Sequence, residues 1–209
     1  MGRTSDARER ILSAGSGLIE TRGYSALGIA EICSAAGVPK GSFYYFFASK
    51  EAMALAVIDE QWAEQKTMWT GVLGGDASPL LRMRRWFEAT EAAQRAGQLN
   101  CGAVAGCLFG NLTLELSNQT EAIRGRLQGV FEEQAAMVAA VIGEAVERGE
   151  VAVADVPAAA RGVLAQLEGQ VMFAKLYNDT ARLGALWENC LALLGARVPA
   201  EEEDVAETV

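Results

Sequence analysis

The sequence predicts an all-α fold, and three observations carry that prediction. Apolar residues make up 51% of the 209 positions and prolines number only 4, a composition that favours helices over strands and excludes a disordered polymer. Apolar side chains recur at spacings of three and four through most of the chain, the repeat of a helix with one buried face. Gly, Pro, Ser and Asp interrupt that repeat to give about nine segments, as helix caps and stops do.

Asp6 followed by Glu9 reads as a capping box, and Ile11, Leu12, Leu18 and Ile19 continue at helical spacing to Gly23. A short helix over 28–36 buries Ile29, Ile32 and Cys33, and Gly37 supplies the left-handed residue of a tight turn. Pro39 opens a third short helix, where its missing N–H is unused. Ser49 caps a fourth helix that runs to about residue 72, and residues 74–77 form a linker. Ser78 and Pro79 start a fifth helix, which carries Leu80, Met83, Trp86 and Phe87 and fades near Gly97. A sixth covers 102–117, and a seventh runs from Asn118 to Gly149 over about 45 Å. Asp155 and Pro157 mark an eighth helix ending near Tyr177, and a ninth starts near Asp179. The chain thus divides into an N-terminal three-helix domain, 1–52, a helical body, 53–198, and an acidic tail, 199–209, expected to be disordered.

Composition narrows the function. With no histidine, the chain has no His-based catalytic triad and no His-based zinc site, and no nucleotide-binding loop is visible. Neither an enzyme nor a cofactor or metal is expected. Cys33, Cys101, Cys107 and Cys190 lack paired spacing and read as free thiols of a reducing compartment. The polar N-terminus and the absence of a long apolar run predict a cytoplasmic protein without membrane contact. The net charge of −9 is unevenly distributed. Residues 1–52 hold six basic against five acidic side chains, leaving twelve basic against 22 acidic in the remainder. An acidic body behind a slightly basic head repels polyanions everywhere except at the head.

The decisive stretch is 29–53, IAEICSAAGVPKGSFYYFFASKEAM. Two short helices joined by a glycine turn make a helix-turn-helix. Ile32 and Val38 hold the helices together, and Lys40, Gly41, Ser42, Phe43, Tyr44 and Tyr45 form the second, ahead of Ser49, Lys50 and Glu51. Gly41 and Ser42 are small enough for the helix start to enter a major groove. Lys40, Tyr44, Tyr45 and Lys50 can reach phosphates or base edges, while Phe43, Phe46 and Phe47 face the core. In order, spacing and residue type this stretch resembles the signature of TetR/AcrR-family transcriptional regulators, and the preceding Gly23-Tyr24 matches as well. The resemblance implies a homodimer that binds double-stranded operator DNA and is released by a small-molecule effector. Three positions depart from the family pattern: Leu27-Gly28 stands where Thr-Ser is usual, Pro39 where Ser is, and Phe46 where His is. A helical protein–protein adaptor without DNA binding is the alternative.

In the body, Trp69, Trp86, Phe109, Met137, Phe173 and Tyr177 are either effector-cavity residues or plain core. Residues 105–112 resemble a subgroup of electrophile- and acrylate-responsive repressors, which implies a sensing role for Cys107; its other reading is a small buried hydrophobe. Reactivity there requires a helix N-terminus or a nearby cation to lower the thiol pKa, and Arg84 and Arg85 are distant candidates. By family likeness the last two helices pair with a second subunit, and Leu183, Leu186, Trp187, Leu191 and Leu194 belong either to that interface or to the monomer's own core.

Overall fold

Five of the helices, at Ser49, Ser78, Cys107, Thr120 and Asp155, start where a side chain accepts from a free N–H group. The structure, a computed structural model, describes residues 2–196, so the acidic tail lies outside the described residues. Among these are nine α-helices and no strand: α1 (Gly2–Arg22), α2 (Ile29–Ala36), α3 (Lys40–Phe46), α4 (Lys50–Leu73), α5 (Pro79–Cys101), α6 (Leu108–Leu116), α7 (Glu121–Glu147), α8 (Val156–Tyr177) and α9 (Leu186–Leu194). Ser49, Ser78 and Asp155 cap α4, α5 and α8 as expected, each side chain accepting from the N–H three residues on. Gly37 has φ 62°, and the N–H groups of Gly37 and Val38 return to Ser34 and Cys33, closing α2 before α3 begins.

Five boundaries differ from the sequence reading, the first being α1, which begins at Gly2 and so holds Asp6 inside the helix. Gly97 does not end α5, which continues to Cys101; a mid-helix glycine costs only about 1 kcal/mol relative to alanine, and packing outweighs it. Residues 102–107 form a loop, and Cys107 sits at the N-cap of α6 instead of inside it. Thr120, not Asn118, caps α7 by accepting from Ile123 N at 3.0 Å. The ninth predicted helix is split: Thr180–Ala185 is a 3-10 turn, and the α-helix proper begins at Leu186.

Two apolar clusters hold the chain together. One joins α1–α3 to the first half of α4, to α6 and to the first half of α7, through Ile11, Phe43, Ile58, Leu112 and Ile123 among others. The other joins the end of α4 to α5, the second half of α7, α8 and α9, through Trp86, Ile142 and Val163. The head core therefore runs on into α6 and α7 without stopping at residue 52. Trp62 and Trp69 link the clusters edge to face with centroids 6.0 Å apart, and Cys107 and Met137 pack against both. Arg82 is buried, donates to Leu73 O at 2.6 Å and pairs with Glu144, so one guanidinium ties α4, α5 and α7.

The alternatives left open for α9 are decided by burial. Leu183, Leu186, Leu191 and Leu194 are all at most 2% exposed within the single chain, and Trp187 is half-buried against the same cluster. The four leucines belong to the monomer's core and are corrected as interface residues, whereas Trp187 keeps an exposed part. The helix puts its 186, 190, 191 and 194 positions inward because they share one face at 3.6 residues per turn. Leu191→Ala is expected to cost about 2–5 kcal/mol of stability, the range for a leucine that leaves a cavity. Urea denaturation checks this, and a loss under 1 kcal/mol would contradict the core assignment.

Candidate nucleic-acid interface and cavity

The outward face of α3 carries the predicted contact residues. Lys40, Gly41, Tyr44 and Tyr45 are exposed, Tyr45 at 75%, while Ser42 is half-buried. Phe43 and Phe47 are buried beneath them and Phe46 is half-buried. Tyr44 stands edge-on to Phe43 at 5.6 Å and Tyr45 to Phe46 at 4.8 Å, so the aromatic core braces each phenol while its hydroxyl end stays in solvent. Arg10 on α1 locks the turn itself, with Nη1 donating to Ala36 O at 3.2 Å and Gly37 O at 3.3 Å. Gly28 leaves α2 without a side-chain cap, as the Leu27-Gly28 departure implied.

Lys50 is placed differently from its five companions. Its ammonium donates to Tyr24 O at 3.0 Å and Leu27 O at 2.9 Å, and lies 4.1 Å from the centroid of the Tyr24 ring. Two of its three donors are thus spent inside the protein, holding the α1–α2 loop to the start of α4. The same loop is gripped from the other side by Glu115 of α6, whose carboxylate accepts from Tyr24 N at 2.9 Å and Ser25 N at 2.6 Å. Burial works to raise the Glu115 pKa, but the bonds from Ser25 and Tyr24 and the Lys50 charge hold it below the usual carboxylate value. Gly23 has φ 80°, a backbone conformation that favours glycine, and a Cβ there would crowd the Glu115 carboxylate at 3.2 Å. The bonds of Arg10 and Glu115 to the turn and the loop carry no local sequence signal, because those backbone partners lie 26 to 91 residues away.

At the junction of the two apolar clusters lies a cavity of about 350 Å³, walled by α1, α4, α5, the start of α6, α7 and α8. Of the predicted residues, Trp69, Phe109 and Cys107 line it. Trp86 is fully buried behind Trp69, ring centroids 4.7 Å apart, and Met137 packs between the clusters, so neither lines it. Phe173 and Tyr177 are 45% and 57% exposed on α8 and line no part of the cavity, a correction that follows from α8 turning that face to solvent.

Cys107 Sγ accepts from Gly110 N at 3.5 Å at the start of α6. A helix N-terminus favours thiolate, yet burial and the neighbouring Glu168 carboxylate push the Cys107 pKa well above the ordinary thiol value. Burial and Glu168 outweigh the helix, and no arginine acts on the thiol. Arg84 instead pairs with Glu88 on its own helix. Burial likewise raises Glu168, which takes a hydrogen bond from the Cys107 thiol. Lys175 donates to Asn111 Oδ1 at 3.0 Å, and burial lowers its pKa.

A braced recognition helix on a head whose core continues into a hollow helical body defines a helix-turn-helix transcriptional regulator with a ligand-binding domain. Residues 11–57 match the bacterial regulatory proteins of the tetR family, and residues 79–189 match the tetracyclin repressor-like C-terminal domain. The chain belongs to the TetR family of bacterial transcriptional regulators. It is 34% identical over 174 residues to the transcriptional regulator AcuR of Cereibacter sphaeroides, covering 81% of this chain and 77% of that one. It is 31% identical over 147 residues to the HTH-type transcriptional repressor NemR of Escherichia coli K12, covering 69% of each. The crystal structure of regulatory protein TetR from Rhodobacter sphaeroides superposes with a TM-score of 0.80 at 31% identity, over 88% of this chain and 96% of that one.

Lys50→Ala is expected to lower stability by about 2 kcal/mol, the range for losing charge-assisted hydrogen bonds, or roughly 4–8 °C in Tm for a chain of this size. Calorimetry checks it; an unchanged Tm with lost operator affinity would instead mark Lys50 as a phosphate contact.

Proposed function

We propose that the protein is a cytoplasmic homodimeric repressor that leaves its operator when a small molecule enters the cavity. The observation that carries this reading is the connection through α6. Its first turn, with Cys107, Leu108 and Phe109, forms cavity wall, while Glu115 near its last turn holds the α1–α2 loop of the head. A ligand that displaces the start of α6 shifts the end of the same nine-residue helix, about 13 Å away, and with it the head. Two recognition helices then no longer match half-sites one helical turn, roughly 34–36 Å, apart.

In this reading Lys40 and Tyr45 touch the DNA, with Gly41, Ser42 and Tyr44 flanking the contact, and Lys50 acts by holding the head's loop. The dimer face lies on the outward side of α8 and α9. Met172, Leu176 and Leu193 are 49%, 69% and 43% exposed, and Phe173 and Tyr177 extend the same surface. Gly162, Ala165, Gly169, Met172 and Leu176 recur on one side of α8 with small residues at one end, which allows close helix approach. An apolar groove of about 590 Å³ beside Phe131, Ala135, Leu164 and Ala165 continues that face onto α7. The alternative, a helical protein–protein adaptor without DNA binding, gives no role to Lys40 beside the braced tyrosines.

Tyr45→Ala is expected to weaken operator binding about 5- to 150-fold, the range of one to three kcal/mol for a base contact, with Tm unchanged. Fluorescence anisotropy with a promoter fragment measures it, and wild-type affinity would remove Tyr45 from the interface. Leu176→Asp with Leu193→Asp is expected to give a folded monomer that no longer binds operator. A dimer by light scattering at micromolar concentration would move the interface elsewhere.

A further inference from the structure

We propose that the cavity selects a small organic cation, an ammonium or amidinium group on an apolar body, over neutral and anionic molecules of the same size. The inference rests on reading this cavity as the effector site. Three carboxylates from three different helices line the wall, Glu20 of α1, Glu64 of α4 and Glu168 of α8, and no lysine or arginine does. Lys175 has its ammonium on Asn111 and acts on Glu20 without lining the wall.

A second observation, independent of those charges, also asks for a donor. Gln134 lines the cavity and is only 2% exposed. Its Nε2 donates to Gln65 Oε1 at 3.2 Å, and its carbonyl oxygen receives no hydrogen bond among the described residues. That oxygen is available to accept from a donor group in the cavity. Gln94 does not compensate, since both ends of its amide are spent on the Gly106 backbone at 3.1 and 3.3 Å. The charged groups in the wall are therefore all acceptors, beside the amides of Gln61 and Gln65.

Trp69 and Phe109 complete the match, for aromatic walls bind cations better than anions. Burial raises both Glu20 and Glu168, the sign of carboxylates that lack enough positive partners. An incoming ammonium supplies that partner. An incoming carboxylate adds a like charge to a wall that already holds three carboxylates and no lysine or arginine.

Isothermal titration of the full-length protein at pH 7 with benzylammonium, benzyl alcohol and benzoate tests the selection. Benzylammonium is expected to bind at least about tenfold more tightly than benzyl alcohol, the factor for one modest ionic contact, and benzoate more weakly than either. Glu168→Gln is expected to reduce the ammonium preference severalfold. Glu64→Gln, on an exposed position where folding is safe, is expected to do the same to a smaller degree. Equal affinity for the ammonium and the alcohol, tightest binding by benzoate, or no binding by any of the three overturns the proposal. Operator release separates it from the reading it rests on: benzylammonium that binds with the stated preference yet leaves operator affinity unchanged sustains the charge selection and overturns the effector role.

Discussion

The loop between α1 and α2 is clamped by two opposite charges, and the geometry of the head depends on that clamp. Lys50 takes the loop's carbonyls and Glu115 takes its N–H groups, so each charge meets the end of the peptide dipole that it favours. Neither works as well alone, since the loop exposes donors on one side and acceptors on the other. The clamp also decides where α2 begins, because Gly28 has no side chain to cap it. Arg10 adds a third fixed point at the turn before α3. With its backbone held at these points, the head presents Tyr44 and Tyr45 on a platform of buried phenylalanines instead of on a mobile loop.

The clamp has its second end in the body. Glu115 lies near the end of α6, and α6 begins at the cavity, so a single short helix belongs to both parts. Its packing agrees: the cluster that fills the head includes Leu108, Phe109, Leu112 and Leu116. In the proposed mechanism this shared helix carries a displacement from the cavity to the head. Cys107 stands at the start of this helix as a cap and as a junction between the two cores, with a thiol held protonated by its surroundings. Those surroundings are acidic, and that character extends around the cavity wall.

Legibility in the sequence followed the range of the interactions involved. The caps at Ser49, Ser78 and Asp155 and the turn at Gly37 were readable because each is satisfied within three or four residues. The exposed face of α3 was readable from its order of small, basic and aromatic residues. Boundaries set by distant contacts were not. The loop over 102–107 is held by Asn178, which accepts from Val104 N at 2.9 Å and donates to Gly102 O at 3.1 Å, and by Gln94 on Gly106. No periodicity announces such contacts, and the segment reads as helix without them.

The sequence by itself determined the helical class, the helix-turn-helix and the residues that face outward from it, because hydrophobic period and cap chemistry are local properties of the chain. Only the tertiary structure decided which apolar residues share a core. Leu191 and Leu194 went inward and Leu193 outward, a division that depends on what α8 and the 3-10 turn leave uncovered. Phe173 and Tyr177 lost their place in the cavity for the same reason, and Lys50 turned from a free charge into a clamp because two carbonyls 23 and 26 residues away lie within its reach. An apolar stripe states that one face will be buried; what buries it is fixed by helices that the stripe does not contain.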